Sequence, residues 1–376
     1  MHIRKILFLI GDYSTGGKER QLTEIIRNLP KEKYEIYLFM KNENSYYFGT
    51  IKENLTSYCS LGKENFSFTD ILALRQYNKS IQPHIVFSFS TTLSHYSLLL
   101  KLLGIFKYRL INGSIRDAPV NLNLHMLSEK LLYNFYEEVV ANSKAGLQAY
   151  NQNGKRGRHV LYNGIDENRI PKISKDELRQ QLRIDERFMV VMVASMGESK
   201  DQTTFLKAAA KVLEITDDIQ FYLVGDGPKK SEYMNLVLTL ELENNIYFTG
   251  EVSNAEQYLK ASDLSVLMST NAEGFPNVVL ESLACGVPVI AIKDGGTKEV
   301  LKNNYNGYLI NNGDYKVLAQ RILYLKKNNN IVKDFVANGK KLVQTKFSQA
   351  RMIQSFQNIL EDSYNGKTKL QVNDNI

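Results

Sequence analysis

Residues 264–292 read LSVLMSTNAEGFPNVVLESLACGVPVIAI, and this stretch carries the signals of one complete strand–helix–strand unit. The apolar runs Leu264–Met268 and Val287–Ile292 are typical of parallel strands that are buried on both faces. Between them, Pro276 suits the first turn of a helix and Gly286 suits the position just after its last residue. The stretch therefore predicts a βαβ unit whose helix begins just after a loop at Glu273–Phe275.

The same alternation of strand and helix extends along the whole chain. Further apolar runs predict strands at Ile6–Ile10, Ile36–Met40, Ile85–Phe89, Val139–Ala141, Val160–Tyr162, Met189–Ala194, Phe221–Val224 and Ile246–Phe248. Residues between the runs have the spacing of one helix face, as in Leu22, Ile25, Ile26 and Leu29. We predict an α/β protein of two doubly wound, Rossmann-like domains that face each other across a central cleft.

Length and turn signals divide the chain into domains. A chain of 376 residues is long enough for about two domains. The turn signal Asn163-Gly164-Ile165-Asp166 follows a predicted strand, and Pro171 comes shortly after it. We predict a first domain at residues 1–168, a second at 169–346, a C-terminal helix at 347–364 that packs back on the first domain, and a polar tail at 365–376.

Composition indicates an ordinary globular protein of a reducing compartment. Hydrophobic residues make up 43% of the chain and charged residues 23%, which argues against a disordered or fibrous protein. Two cysteines, Cys59 and Cys285, are too few for a disulfide framework. The apolar run after Arg4 and Lys5 is too short for a signal peptide and predicts a buried strand instead. We therefore expect a cytoplasmic protein.

The net charge of +7 comes entirely from the first half of the chain. Up to Arg169 there are 22 basic and 15 acidic residues, whereas from Pro171 onward there are 25 of each. The surplus is either drift in surface composition or a surface for an anionic partner. No zinc-finger spacing or RNA-binding aromatic signature accompanies it, so nucleic acid is the weakest of the anionic partners. A phosphate-bearing substrate, or anionic lipid at the inner face of the membrane, remains.

The loop and helix at residues 273–281 contain the most informative polar residues. The first N–H groups of the helix, at Asn277 and Val278, can hold a phosphate. Glu273 precedes the helix and Glu281 lies more than one turn inside it, so each carboxylate is placed for hydroxyl groups beside that anion. Glu281 taken alone could be a surface carboxylate, because acid pairs at this spacing arise by chance.

Gly16 and Gly17 form a second candidate loop, between a predicted strand and a predicted helix. Lys18 stands one position late for a phosphate-binding P-loop, and Glu19 replaces the metal-binding hydroxyl, so an ATPase motif is not present. The bare backbone of the two glycines can approach a ligand closely, or the loop is a plain tight turn.

The segment Glu273–Glu281 resembles the Glu-x7-Glu signature of glycosyltransferase family 4. Members of this family are retaining enzymes with the GT-B fold that use nucleotide-sugars, and they include bacterial capsule, O-antigen and exopolysaccharide glycosyltransferases. The similarity extends over most of the chain, at Gly16–Gln21, Val140–Ser143, Tyr162–Asp166, Leu223–Pro228 and Gly295–Glu299.

The resemblance implies roles for individual residues. Glu273 would be the catalytic residue and contact hydroxyls of the donor sugar, while Glu281 would contact the nucleotide ribose. Lys200 aligns with the family's diphosphate-binding lysine, although an isolated lysine is also an ordinary surface residue. Backbone amides at Asn277 and Val278 would hold the distal phosphate. The remaining implied donor-binding residues are Gly16, Gly17, Ser195, Gly274, Phe275 and Pro276.

Two positions depart from the family pattern. Ser195 stands where the family usually has an arginine, so one diphosphate cation is absent or supplied elsewhere. Arg116 lies in a segment where many members carry a histidine. Arg116 either binds an anionic acceptor or the donor phosphate, or it pairs with Asp117.

The resemblance implies a hexosyltransferase that acts in cell-surface polysaccharide synthesis. The donor would be a nucleotide-diphosphate sugar, with UDP as the expected nucleotide, and the acceptor a glycan or a polyprenyl-diphosphate-linked saccharide. The sequence contains no Asp-x-Asp motif, so we expect neither a metal nor another cofactor. Two alternatives remain open: a non-catalytic paralogue that binds nucleotide-sugars, and a sugar-nucleotide epimerase of the same fold.

Overall fold

The computed structural model describes residues 3–13, 16–43, 46–63, 65, 67–119 and 124–366. The chain separates into two compact units. Unit 1 comprises Met1–Gly164 and Gln349–Ile376, and unit 2 comprises Ile165–Ser348. Most of the predicted polar tail, residues 367–376, lies outside the described residues. None of the helices within the described ranges combines the length and the apolar character needed to cross a membrane.

Unit 1 alternates strands and helices around one parallel sheet. In chain order its elements are β1 (Arg4–Asp12), α1 (Gly17–Asn28), β2 (Tyr34–Asn42), α2 (Tyr46–Ile51), β3 (Ser57–Ser60), α3 (Asp70–Ile81), β4 (Ile85–Ser88), α4 (Thr91–Leu102), β5 (Arg109–Ile115), α5 (Leu124–Leu132), β6 (Glu138–Ala141), α6 (Lys144–Ala149) and β7 (Arg158–Val160). The strand order is β3-β2-β1-β4-β5-β6-β7. The order reverses between β1 and β4, which is the topological switch point of a doubly wound sheet.

Unit 2 repeats this plan. Its elements are α7 (Lys175–Leu182), β8 (Phe188–Val193), α8 (Gln202–Leu213), β9 (Ile219–Val224), α9 (Lys230–Thr239), β10 (Ile246–Gly250), α10 (Ala255–Ala261), β11 (Leu264–Leu267), α11 (Asn277–Cys285), β12 (Val289–Ile292), α12 (Thr297–Val300), β13 (Gly307–Ile310), α13 (Tyr315–Lys327) and α14 (Asn329–Lys346). The parallel sheet has the order β10-β9-β8-β11-β12-β13, with its switch point between β8 and β11.

The last helix, α15 (Gln349–Tyr364), belongs to unit 1. Its residue Phe356 is fully buried, and its ring centroid lies 5.9 Å from that of Phe8 and 5.1 Å from that of Phe87. Aromatic pairs at these distances add to the apolar burial between the helix and strands β1 and β4.

The central strands are buried on both faces, as their apolar runs predicted. All residues of Ile6–Ile10 and of Ile219–Val224 are buried. The prediction of an α/β protein with two doubly wound, Rossmann-like domains is confirmed. The cleft expected between the domains stays a prediction.

The apolar runs miss or misplace four strands, namely β3, β5, β7 and β13, and in β5 the polar residues Asn112 and Ser114 interrupt the run. Strands β3 and β13 are at the edges of their sheets. Strand β3 is only partly buried and has no run of apolar residues, whereas β13 contains the short run Tyr308–Ile310, which the sequence analysis overlooked.

The run Val160–Tyr162 predicts a strand, but β7 begins two residues earlier, at Arg158. A charged residue is not expected in a buried strand, so the apolar pattern did not include Arg158. Arg158 is nevertheless buried, because its guanidinium donates to backbone carbonyls, including that of Tyr133 at 2.9 Å.

Candidate active site

The predicted site residues of unit 2 lie in loops that follow neighbouring parallel strands. Ser195 and Lys200 follow β8, the loop 225–228 follows β9, Glu273 follows β11 and Gly295 follows β12. Because the carboxyl ends of parallel strands share one edge of the sheet, these loops lie together where ligands of such sheets bind.

Lys200 and Glu273 are in direct contact at this edge. The ammonium of Lys200 donates to Oε1 of Glu273, and each side chain is 19% exposed. The hydroxyl of Ser269 donates to the same carboxylate oxygen. Backbone bonds join the two loops, with the amide of Thr270 donating to the carbonyl of Ser199 at 3.1 Å. The structure thus brings together a cation and a carboxylate that the sequence separates by 72 residues.

The backbone of Glu273 is held by two glycines after β12. The amide of Gly296 donates to the Glu273 carbonyl at 2.8 Å. Gly295 has a φ of +55°, and a Cβ on it would lie 2.1 Å from the same carbonyl oxygen. Only glycine fits this position without a shift of the backbone. Sequence reasoning identified this glycine pair only through the family resemblance and did not connect it with Glu273.

The first turn of α11 begins four residues after Glu273. The helix begins at Asn277, one residue after Pro276, and ends before Gly286, which has a φ of +76°. Pro276 at the N-cap has no side-chain oxygen that could accept a hydrogen bond from the first amides of α11. The positive end of the helix dipole therefore attracts an anion. Asn277 and Val278 occupy the first turn, as the sequence predicted.

Glu281 and Phe275 are both buried. Glu281 lies inside α11 and is 4% exposed. The ring of Phe275 packs against that of Phe347, with centroids 5.4 Å apart. The side chain of Phe275 is therefore part of the unit 2 interior, so any contact with a ligand would come from its backbone.

The loop around Ser195 is fixed by contacts that the sequence did not predict. Ser195 is exposed, and its carbonyl accepts a hydrogen bond from Nε2 of Gln202 at 2.9 Å. A Cβ on Gly225 would lie 2.2 Å from the carbonyl oxygen of Ala194, so the loop after β9 packs tightly on this one. On that second loop, Nζ of Lys229 lies 2.8 Å from a carboxylate oxygen of Glu198. Sequence reasoning missed this lysine, whose backbone amide donates to the carbonyl of Met196, the residue after Ser195, at 3.0 Å.

The candidate residues of unit 1 lie at the start of α1 and after β5. Gly16 precedes α1 with ordinary extended angles, φ −76° and ψ 171°, and Gly17 is the first helical residue. The conformation of Gly16 thus does not itself require glycine. This is consistent both with a loop that approaches a ligand closely and with a plain tight turn.

Arg116, after β5, is held by neighbours in unit 1. Its Nε donates to the Gly113 carbonyl at 3.1 Å, its Nη1 donates to Gln21 on α1, and its guanidinium lies 4.6 Å from the ring centroid of Phe89. Burial lowers the pKa of this guanidinium to about 9, which leaves it cationic at neutral pH. In the described part of the chain Asp117 accepts from the hydroxyl of Tyr150 at 3.1 Å, and the alternative pair with Arg116 is not formed.

Two cavities of unit 2 lie away from these residues. One, of about 430 Å³, is lined by aromatic and polar side chains that include Tyr305, Tyr308 and Tyr324. The other, of about 290 Å³, is lined by residues that include Pro171 and Lys340. Among the residues that the structure describes, no group of three or more His, Cys, Asp or Glu side chains is arranged to hold a metal ion.

The sequence of unit 2 matches a known protein family. Residues 174–342 match the family described as "Glycosyl transferases group 1". Unit 2 therefore carries a domain of this family.

Curated relatives match the chain over different lengths. N-acetyl-alpha-D-glucosaminyl L-malate synthase of Bacillus anthracis is 30% identical over 213 residues, which is 55% of each chain. The chain thus spans about half the length of this relative. GalNAc-alpha-(1->4)-GalNAc-alpha-(1->3)-diNAcBac-PP-undecaprenol alpha-1,4-N-acetyl-D-galactosaminyltransferase of Campylobacter jejuni is 24% identical over 348 residues, 89% of this chain and 92% of the relative. The family domain and the names of relatives such as the latter confirm the prediction of a glycosyltransferase.

A solved structure matches almost the whole chain. Anabaena Alr3699/HepE, crystallised in complex with UDP, superposes with a TM-score of 0.82 at 22% identity, covering 95% of this chain and all of HepE. This likeness confirms the predicted GT-B class of fold.

Proposed function

We propose that this chain, which carries a glycosyl transferases group 1 domain at residues 174–342, transfers a sugar from a UDP-linked donor to a saccharide acceptor, with retention of the anomeric configuration and without a metal. The acceptor would be a glycan or a polyprenyl-diphosphate-linked saccharide of a cell-surface polysaccharide. The basic surplus of the N-terminal half would keep the chain at the inner face of the membrane.

The contact between Lys200 and Glu273 carries this proposal. It supplies one cation and one carboxylate at the carboxyl edge of the sheet, immediately before the positive end of α11. A nucleotide-sugar offers the complementary groups in the same order, because its diphosphate is anionic and its sugar hydroxyls donate to carboxylates. We infer that the diphosphate takes Lys200 and the first turn of α11, while Glu273 turns to the sugar.

The chemistry follows from where charge develops. When the bond between the sugar C1 and the diphosphate breaks, negative charge grows on the leaving phosphate oxygen. Lys200 and the amides of Asn277 and Val278 would stabilise that charge in a prearranged geometry. The acceptor hydroxyl forms the new bond to C1 from the face that the diphosphate leaves, and its proton passes to a departing phosphate oxygen. Such a route requires no protein side chain to act as a general base, and no side chain is assigned that role here.

The remaining donor contacts and the acceptor contact are assigned by resemblance. Glu281 would take the ribose of the nucleotide, and backbone groups at residues 16–17, 195 and 274–276 would line the donor. Arg116 in unit 1 would bind an anionic group of the acceptor, because its guanidinium is held in place by Gln21 and Gly113 and stays cationic. No resident cofactor is part of the proposal.

Radiolabelled nucleotide-sugars, offered singly with bacterial membranes or a synthetic polyprenyl-diphosphate saccharide, test this function. We expect label to enter lipid or oligosaccharide from one UDP-sugar, with unchanged rate in EDTA. NMR of the product should show the anomeric configuration of the donor. Glu273→Gln should abolish transfer, whereas the control Glu243→Gln, at an exposed acid of unit 2, should not.

Other outcomes would replace the proposal. Nucleotide binding without turnover for any donor and acceptor would indicate a non-catalytic paralogue. Conversion of the nucleotide-sugar with no acceptor present would indicate an epimerase. Loss of transfer in EDTA that Mg²⁺ restores would refute the metal-independent mechanism.

A further inference from the structure

A cavity of about 430 Å³ in unit 2 lies at the end of the sheet opposite the candidate active site. It is lined by Asn304 and Tyr305, which precede strand β13, whereas the active-site loops follow their strands. Strand β13 is parallel to β12, so residues before it lie at the amino edge of the sheet and the active-site loops lie at the carboxyl edge. Small-molecule sites enclose roughly 300–1,000 Å³, which includes this volume. We call it the aromatic cavity; the loop 301–306, β13, α13 and α14 contribute its lining.

Four aromatic rings line the aromatic cavity. Tyr308 and Phe335 are buried, and their ring centroids lie 5.2 Å apart with the planes at 76°. Tyr308 meets Tyr324 in the same way, at 6.4 Å and 70°, and such edge-to-face contacts stabilise aromatic pairs. Tyr305 and Tyr324 are 45% and 40% exposed. Two buried side chains thus support this wall, while two others remain accessible to a ligand.

The loop that carries Tyr305 is fixed by hydrogen bonds. The side chain of Asn306 is fully buried; it accepts from the Lys302 amide at 2.7 Å and donates to the Val300 carbonyl at 3.0 Å. Nδ2 of Asn338 on α14 donates to the carbonyl of Tyr305 itself at 2.9 Å. Because the protein makes these bonds without a ligand, a ligand does not have to order the loop.

Polar side chains complete the lining of the aromatic cavity. Asp334 on α14 is exposed and offers carboxylate oxygens as acceptors, and the amide of Asn304 both donates and accepts. Oδ1 of Asn338 remains able to accept, since its bond to Tyr305 uses Nδ2. A sugar has the complementary groups, because its ring carbons present C–H groups to the negative face of an aromatic ring and its hydroxyls donate and accept.

The charges beside the aromatic cavity favour a neutral ligand. The guanidinium of Arg321 lies 4.4 Å from the ring centroid of Tyr308, so this ring already has a cation against it. Arg321 would repel a second cation, such as a quaternary ammonium group, and Asp334 would repel an anion. A neutral saccharide meets neither repulsion.

We propose that the aromatic cavity binds a short neutral segment of a saccharide chain, as a second carbohydrate site of unit 2. Sugar rings stack on Tyr305 and Tyr324, while Asp334 and Asn338 accept from their hydroxyls. The biological use of the site rests on the proposed function, because a transferase that also holds the glycan it extends keeps the acceptor at a high local concentration. The binding itself needs neither the nucleotide nor the residues proposed to hold it.

A tryptophan reporter tests the site, because the chain has no tryptophan of its own. In Tyr324→Trp the indole should respond to maltose, cellobiose or N,N′-diacetylchitobiose with a saturable change of emission. Tyr364→Trp, at a tyrosine of unit 1 with the same 40% exposure, is the matched control and should not respond. Choline chloride, the cationic probe, should change the emission of neither variant. Saturation-transfer NMR should detect the same disaccharide on the unsubstituted chain.

Two further substitutions in the Tyr324→Trp protein test the contacts. Tyr305→Ala removes a stacking ring and Asp334→Ala removes an acceptor, so each should raise the Kd for the disaccharide roughly tenfold or more. Glu243→Ala, which removes an exposed acid elsewhere in unit 2, should leave this Kd unchanged. Since Asp334 is exposed, its replacement keeps the test decisive should Tyr305→Ala disturb the loop.

Several results would refute the second carbohydrate site. The site is refuted if no disaccharide changes the emission of Tyr324→Trp, or if Tyr364→Trp gives the same response. A response of Tyr324→Trp to choline would refute the neutral ligand, and an unsubstituted chain that binds no disaccharide would show that the tryptophan created the site. An unchanged Kd in either Tyr305→Ala or Asp334→Ala would also contradict the proposed contacts.

UDP separates this proposal from the proposed function. Saturating UDP should leave the Kd for the disaccharide unchanged, because the aromatic cavity and the proposed donor residues of unit 2 lie at opposite edges of the sheet. Loss of disaccharide binding in UDP would mean that the sugar occupies the proposed donor site, and would refute the second site. Disaccharide binding by a chain that UDP does not stabilise would count against the transferase and leave the second site standing. Stabilisation by UDP without disaccharide binding would do the reverse.

Discussion

Lys200 and Glu273 neutralise each other across the ends of strands β8 and β11, with Ser269 donating to the same carboxylate. These are the two residues proposed to bind the diphosphate and the sugar of the donor. A donor must therefore separate them, because a phosphate oxygen and Glu273 cannot both hold the Lys200 ammonium at full strength. This competition leads to distinct expectations for the two residues.

Replacing Glu273 should remove sugar recognition and spare nucleotide recognition. In Glu273→Gln the Lys200 ammonium loses a competing carboxylate, so the Kd for UDP should stay the same or fall. The value of kcat/KM for transfer should drop roughly 100-fold or more, as when a group that acts on the transition state is lost. Calorimetry with UDP and transfer assays give the two values. Weaker UDP binding in Glu273→Gln would contradict the assignment of this residue to the sugar.

Replacing Lys200 should weaken the diphosphate contact. A charge-assisted hydrogen bond contributes about 1.5–3 kcal/mol, so Lys200→Ala should raise the Kd for UDP roughly 10- to 100-fold. Uridine, which has no phosphate, should bind equally to wild type and variant. Lys230→Ala is the control, because this lysine pairs with Asp226 on the loop after β9. An unchanged Kd for UDP in Lys200→Ala would show that this lysine does not contact the diphosphate.

The glycine that supports Glu273 should be more sensitive than a glycine of similar conformation elsewhere. Gly295→Ala places a Cβ 2.1 Å from the Glu273 carbonyl oxygen, whereas Gly313, with a φ of +74°, has open space around it. Gly313→Ala should lower the free energy of unfolding by only about 1 kcal/mol, because alanine is strained in the left-handed conformation, and should lower the Tm by about 2–4 °C. Gly295→Ala should lower the Tm further and also reduce transfer. Similar Tm values for the two variants would mean that the contact with Glu273 is easily relieved.

The thiol of Cys285, at the end of α11, should be protected in the folded protein. Burial, with the Glu256 and Glu281 carboxylates, raises the pKa of this thiol from 9.0 to about 12. In a Cys59→Ser background at pH 8, alkylation should be roughly 100-fold slower than for a free thiol and become fast in denaturant.

The same shift predicts a pH dependence of stability. The folded state keeps a proton that the unfolded state releases above pH 9, so the contribution of Cys285 is complete below pH 9 and is lost as the pH rises toward 12. The free energy of unfolding of Cys285→Ala should therefore fall less over this range than that of the Cys59→Ser parent. Rapid alkylation of Cys285 in the folded protein at pH 8 would contradict the preceding prediction, because it would show that this thiol at the end of α11 is accessible to the reagent.

Arg116 should affect the acceptor and not the donor. Arg116→Met keeps an apolar chain over Phe89 but removes the cation that Gln21 and Gly113 hold. The KM for a diphosphate-linked acceptor should rise at least tenfold, while the Kd for UDP should not change. Gln21→Ala, which frees Nη1, should have a smaller effect in the same direction. A loss of UDP affinity as large as the rise in the KM for the acceptor would show that Arg116 contacts the donor phosphate instead.

Local patterns in the sequence predicted the elements and the ends of the helix that matters most. Buried parallel strands need continuous apolar runs, and the ends of α11 need residues such as Pro276 and Gly286, so both leave a local signal. The edge strand β3 leaves none, because it is only partly buried and begins and ends with serine. Buried charge, as at Arg158, breaks the apolar pattern and hides a strand.

Contacts between distant residues were decided by the tertiary structure alone. The sequence identified Lys200 and Glu273 separately, but their contact depends on β8 and β11 being neighbours in the sheet, which no local pattern encodes. The need for glycine at 295 likewise arises from the Glu273 carbonyl that approaches it. The spacing of Leu124, Leu127 and Leu131 is equally compatible with a buried face, but all three leucines are exposed in the structure. Short-range periodicity therefore determined the secondary structure, whereas long-range packing determined which side chains meet and which face solvent.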